Sequence, residues 1–468
     1  MKQPIDIPAF GGINKQHTRA LGQPSRGKNF WTRSGALFTR EGSSLLAGTP
    51  FTAPIVSIHA GAKVSTATRM LVEEGANLWV KPSPEGAWAV LKANVAGTGY
   101  KSGIWQKYLL LFSGTQMMAY DIENNTLAAI TNTEGSVPAM QNVAVEKDII
   151  WGWAPNHAES NLVRFNGYTK DEQGFILARS KDVWPPDFAL DISGNSGTPV
   201  LDVIPYRGYR FCLTQKGSHL IYGDSEDDFR ILPGDNTGVF RAGCSALAGS
   251  TIVWLNFDIK GLPKVYAYTG TEPTVISQPV EELLQAESFT NVWAKALANQ
   301  FWLIFPGTTT TTCYVYDTDE REWYIHVFPA VFNAATLFAE HLQQQVIHFG
   351  MGSGQVAKLD SSATDFGTAI TTELYLGPFS LESRRIKLKR LWLEAEPRSN
   401  FAVNVYATAD QGTEQGPFTA TFVTGNPIKE DVRIHGVKGR SLYLRLSTTQ
   451  KINEIQQATL TVTVGGVK

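Results

Sequence analysis

The stretch Tyr108-Leu-Leu-Leu-Phe112, Ser113-Gly114-Thr115, Met117-Met-Ala-Tyr120, closed by Asn124-Asn125, holds the unit from which the fold is read. Each apolar run has strand length, too short for a buried helix, and the Gly- and Asn-marked turns fold the chain back between runs. The same order returns at 149–153 with 162–165 and the Asn166-Gly167 turn, at 209–213 with 219–222, and at 252–257 with 265–268. Two more copies lie at 301–305 with 313–316 and at 346–351 with 355–359, and a weaker first copy lies at 70–72 with 78–80. Successive centres are about 40, 40, 60, 43, 49 and 45 residues apart. Short strands repeating at roughly 40–50 residues have the period of β-propeller blades. The pattern predicts an all-β chain with a propeller of about seven blades, or six if the first copy closes the last blade. An irregular β-sandwich with frequent turns is the rival reading. Neither a Trp-Asp repeat nor a recurring Gly-Gly is present, so the blades are divergent in sequence.

Around this core the chain divides into three parts. Residues 1–54, with Gly11-Gly12, Pro24, Gly27 and Gly42, read as an extended arm with little core of its own. Residues 55–367 carry the repeats, and the long step contains an insertion near 169–197, marked by Trp184-Pro185-Pro186 and the Ser193–Gly197 run. Helix is scarce, with residues 281–287 the best short candidate. From 368 to 468 the pattern alternates strictly, as in Phe401-Ala-Val-Asn-Val405 and Leu460-Thr-Val-Thr-Val464. Alternation marks strands with one buried and one wet face, and predicts a C-terminal antiparallel β-sandwich. Lys389-Arg390 interrupts the alternation and predicts a β-bulge or register change.

Composition narrows the function. The 468 residues carry 41 Lys+Arg against 43 Asp+Glu, a net charge of −2, with 18% charged and 43% hydrophobic residues. Such a balance excludes a strongly basic nucleic-acid binder and a disordered chain, and it leaves uncharged surface suited to subunit assembly. Cys212, Cys244 and Cys313 are dispersed within apolar runs. They read as buried thiols in a reducing compartment rather than as a disulfide or zinc framework. The N-terminus lacks the apolar segment of a signal peptide, and no apolar run approaches the roughly 18 residues of a membrane helix. The expectation is a protein made in the cytoplasm, without a membrane segment.

Catalytic motifs are sparse. No HExxH, GxSxG or CxxC occurs. Residues 96–102 look a little like a phosphate loop but lack the adjacent Gly-Lys pair, so an ordinary turn is the reading; Gly350-Met-Gly352-Ser-Gly354 reads as a hairpin turn. His341 and His348, seven residues apart in strand, belong on opposite faces. Asp224, Glu226, Asp227 and Asp228 read as a solvated turn before a cation site, and Asp317, Asp319 and Glu320 as a β-turn ahead of a core Trp323. Neither enzymatic activity, a cofactor nor a metal is expected. The one local charge run is Arg384, Arg385, Lys387, Lys389 and Arg390. It reads either as a solvated or edge-protecting strand or as a surface for an acidic partner or a nucleic-acid backbone.

A longer order of residues carries a resemblance. Gly238-Val239, Ala242-Gly243-Cys244, Trp254-Leu-Asn-Phe257, Gly261-Leu-Pro263-Lys-Val265-Tyr266, Ile276-Ser277 and Glu281-Glu282 follow one another in a pattern that resembles the tail accessory proteins (tail hubs or nozzles) of short-tailed DNA bacteriophages. Phe301-Trp-Leu-Ile-Phe305, Val315-Tyr316-Asp317 and the alternating domain after Tyr375-Leu-Gly-Pro-Phe379 fit the same pattern. The N-terminal segment departs from it: the family often shows a Pro-Gly after a Leu-Arg run, where this chain has Phe38-Thr-Arg40-Glu41-Gly42. The resemblance implies a homo-hexameric ring in the virion tail, docked below the portal-adaptor ring. Its further partners would be a tail needle, fibre or tailspike, and genomic DNA passing through its channel without sequence-specific binding. Under that reading Phe30, Trp31 and Phe38 of the arm are candidate subunit contacts, by analogy with aromatic-rich interface cores, or else a staple onto the propeller. A carbohydrate-binding or glycan-processing propeller, which would need two carboxylates across a pocket, and a cytosolic propeller scaffold are the alternatives.

Overall fold

The computed structural model describes residues 2–7, 9–14, 23–62, 68–83, 86–95, 99–194, 197–341, 344–380, 385–410, 412–425, 428–452 and 454–464. Each pair of apolar runs forms the two central strands of a blade. In the second blade, Tyr108–Phe112 and Met117–Asp121 are buried almost throughout, whereas the outermost strand Thr126–Ala129 is mostly exposed. Strands covered on both faces lose their alternation and become continuous apolar runs. Four antiparallel strands make each of six blades, spanning 55–92, 101–129, 142–191, 200–233, 245–275 and 293–328. The inner strands neighbour one another in chain order, and that of the last blade, Phe332–His341, packs against that of the first, Ile55–Ala62, closing the ring. The protein is therefore an all-β propeller with seven blades among the described residues.

The seventh blade is closed by the arm. Its own strands are Phe332–His341, Gln344–Met351 and Val356–Asp360, and the next is Gly42–Leu45, pairing Leu45 with Ala357 and Gly42 with Asp360. The rest of the arm enters the C-terminal sandwich. Lys2–Ile7, Phe30–Arg33 and Ala36–Thr39 join the sheet built on Ile386–Ala395 and Ile455–Val464, while Arg26–Lys28 joins the sheet of Thr372–Phe379, Leu442–Thr448, Phe401–Ala409 and Gln415–Phe422. The segment expected to be an arm with little core thus supplies strands to three sheets, and Ile7, Phe10, Phe30 and Leu37 lie in a core cluster that continues through the propeller and the sandwich. Fully burying one such side chain contributes about 1.5–3 kcal/mol. Arg40 locks the joint. It donates to both Asp365 oxygens, to Asn29 Oδ1 and to the Glu41 and Val327 carbonyls, and stacks 4.0 Å over Phe328.

The helix is a single turn, Glu281–Leu284, with Leu284 buried. The long step at blade three comes from a hairpin, Tyr168–Lys170 with Ile176–Arg179, inserted before the outermost strand Ala189–Asp191. No helix among the described residues is long and apolar enough to cross a membrane.

Candidate functional site

Phe30 is fully buried and meets Tyr324 of blade six edge-on at 5.9 Å. It is a staple within the chain and has no surface to offer another subunit. Trp31 and Phe38, directly opposite each other in a hairpin, are half-buried, and Trp31 meets Tyr324 and His326 at 5.3 and 5.4 Å. Trp31 thus holds the arm to blade six, and both residues keep some outer surface.

The basic run divides. Arg384 lies outside the described residues. Arg385 and Lys387 are exposed and alternate with buried Ile386 and Leu388, and Arg390 pairs with Asp431 at 2.8 Å. A register shift falls between Leu388 and Arg390, where the Lys389-Arg390 doublet breaks the alternation. Ile386–Ala395 is paired on both sides, by Ile455–Val464 and by Ile428–Arg433. It is an interior strand, so its lysines do not guard an edge.

The acidic residues 224–228 hold their own loop. Asp228 Oδ1 accepts from the backbone N–H groups of Asp224 and Ser225, and Asp224 pairs with Lys147. Among the described residues no group of three or more His, Cys, Asp or Glu is arranged to hold a metal. The His341 side chain lies outside the described residues, as do residues 96–98 of the loop-like motif.

Two features were not singled out by the sequence reading. The first is the hairpin of blade three. Asp171 shapes its turn by accepting from Gln173 and Phe175 N–H at 3.0 and 2.7 Å. Arg179 fixes its base, donating to the Asn166 carbonyl, pairing with Glu226 and stacking 4.3 Å over Tyr168. On this anchored frame Phe175, Ile176 and Leu177 are 70%, 60% and 63% exposed.

The second is a cavity of about 920 Å³ on the propeller axis, to which all seven blades contribute. Blade one supplies His59, whose Nδ1 lies 2.9 Å from Ser102 Oγ of blade two and whose Nε2 lies 2.8 Å from Ser57 Oγ. Ser57 donates to Glu73, so its oxygen accepts from Nε2–H, and Nδ1 accepts from Ser102. Burial, reinforced by the ammonium groups of Lys295 and Lys101, pushes His59 down to about 3. An imidazole that resists protonation so strongly is a poor general base, and this chain of bonds ties blades together. Asp202 of blade four accepts from Ser245 Oγ at 2.7 Å and Gly243 N–H at 3.2 Å. Burial nevertheless raises it to about 6. Lys101 reaches towards blade five, where a Cβ placed on Gly243 would stand 4.0 Å from its Nζ. Burial lowers Lys295 to about 8, and the like charge of Lys101 adds to the effect. Both lysines line the cavity and both are exposed.

No protein-family model matches the chain, and no curated protein matches it. Solved structures do. The extracellular domain of BT4673 from B. thetaiotaomicron is 9% identical, with a TM-score of 0.45 over 90% of this chain and 62% of that one, so this chain spans under two thirds of its length. The Pan2 WD40 domain of Neurospora crassa is 8% identical, with a TM-score of 0.42 over 70% of this chain and 96% of that one. The AfRom2 CNH domain is 7% identical, with a TM-score of 0.41 over 68% and 99%. Similarity at this level speaks to neither substrate nor partner.

Proposed function

We propose that this chain is a structural, non-enzymatic subunit of the tail of a short-tailed DNA phage, assembling as a homo-hexameric ring beneath the portal-adaptor complex. The sequence resemblance supplies the tail assignment. The observation that carries the assembly is the hairpin Phe175-Ile176-Leu177, three consecutive exposed apolar residues on an anchored frame. Such runs on a soluble surface are faults unless something covers them. A ring subunit meets its neighbour through two different surfaces, and a projecting apolar hairpin suits the inserting half of that contact. The cavity inside the propeller is far too small for a duplex, so the genome would travel on the axis between subunits. A net charge of −2 over the whole chain is in keeping with a channel along which a duplex slides rather than binds tightly.

Mass-spectrometric inventory of purified particles tests the assignment: about six copies of the chain per virion are expected, and its absence from particles refutes it. The triple variant F175S/I176S/L177S tests the contact. As three surface changes of up to about 0.5 kcal/mol each it leaves the fold within about 1.5 kcal/mol, while incorporation into particles collapses. Normal incorporation of the variant removes the hairpin from the interface.

A further inference from the structure

We infer that the axial cavity is a binding site for a small organic anion bearing phosphate or carboxylate oxygens. Three cationic side chains line it, Lys101, Arg241 and Lys295, against one carboxylate, Asp202. Arg241 is committed to the loop ahead of blade six, donating to the Thr290 and Val292 carbonyls. The two lysines are not committed: among the described residues neither ammonium has a hydrogen-bond or ion-pair partner. Two ammonium groups on one cavity wall, with the single carboxylate Asp202 among the lining residues, repel each other, a cost that an anion between them relieves.

A second observation points the same way. Asn142 is 6% exposed and lines the cavity, yet its Nδ2 has no acceptor; the indole Nε1 of Trp293, also on the wall, is buried and lacks one too. Buried donors are nearly always satisfied, and here the missing complement is acceptor in kind at every point. Phosphate and carboxylate groups present acceptor oxygens and no obligatory donor. The donors come from the starts of three inner strands, Lys101–Trp105, Asn142–Glu146 and Trp293–Leu297, so closure of the ring sets their spacing. The volume of about 920 Å³ lies in the range of small-molecule sites, about 300–1,000 Å³. His59 stays neutral and fully bonded within the wall, and Asp202 is held by Ser245 and Gly243, so neither competes for the lysines at contact distance.

Isothermal titration of the full-length chain with inorganic phosphate, citrate and glucose 6-phosphate, with glucose as the neutral control, tests this. Saturable binding of at least one anion and none of glucose is expected. K101M or K295M should weaken it tenfold or more, and K101M/K295M should abolish it. K260M, in an exposed turn of blade five, should leave it unchanged. K101Q/K295Q provides a polar second pair should the methionine variants misfold, checked by the near-ultraviolet spectrum. Absence of binding by all three anions overturns the inference, as does binding that the lysine variants do not alter.

Discussion

Arg40 uses all five of its N–H donors, and both it and Asp365 are almost completely buried, at 3% and 4% side-chain exposure. Removing one partner of such a pair strands a charge in a poor solvent, whereas removing both is far cheaper. R40M is therefore expected to lower stability by about 3–5 kcal/mol, and R40M/D365L to recover a large part of that loss, as read from urea midpoints. His59 offers a pH test. Its folded pKa, about 3, lies below the ordinary 6.5, so the unfolded chain binds more protons between those values and stability falls as pH drops through that window. Asp202 acts in the opposite sense between 3.8 and about 6, where the folded chain holds more protons. The difference between the wild type and H59Q isolates the histidine. Acidification from about pH 7 to 4.5 should cost the wild type more stability than H59Q, and an equal loss in both refutes the assignment. His59, Asp202 and Lys295 did not stand out in the sequence, and Lys101 lay in the 96–102 stretch that reads as an ordinary turn, because the four share no common motif and meet only when the ring closes.

At the scale of elements, legibility followed burial. Both central strands of a blade are covered on two faces, so Tyr108–Phe112 and Met117–Asp121 announce themselves as apolar runs. The inner strand Lys101–Trp105 faces the axial cavity and the outer strand Thr126–Ala129 faces solvent, and neither has a pattern to read. The turn at Asp317 is legible as a β-turn, but its recurrence is not: Tyr120-Asp121 and Tyr316-Asp317 both end a third strand, and each Asp accepts from the N–H groups two and three residues on. The exposed Phe175-Ile-Leu177 run lay inside a segment read as a loop, where an apolar triplet carries no period. Gly42 marks the least local strand. It opens the strand that closes blade seven, and a Cβ there would fall on the Ser362 hydroxyl and the Thr364 carbonyl. Because one obstacle is backbone, it cannot swing aside as a side chain would. G42A should cost about 1–3 kcal/mol, the range of core overpacking. It should also speed amide exchange in Val356–Asp360 above that in Tyr108–Phe112. Uniform exchange in the two strands would show that the arm does not hold the blade.

The whole molecule is knit by its first 45 residues, which place strands in both sheets of the sandwich and in the seventh blade. One core cluster runs from Leu37 and Phe30 into Leu391 and Leu460 of the sandwich and into Trp254, Trp302 and Phe349 of blades five to seven. Two domains that share only a linker unfold separately, because few contacts cross the boundary. Here the opening of either domain pulls strands from the other, so the two should melt together. Calorimetry of the intact chain should give one transition whose calorimetric and van't Hoff enthalpies agree. Removing residues 1–46 takes the fourth strand, Gly42–Leu45, from blade seven and four strands from the sandwich together. The truncated chain should then show no cooperative melting of either part, rather than a stable propeller with a disordered sandwich. A truncated chain whose propeller still melts sharply would make the arm an accessory of the sandwich alone. Under the proposed tail-ring function, one cooperative body would transmit force between its faces without opening, as a conduit requires.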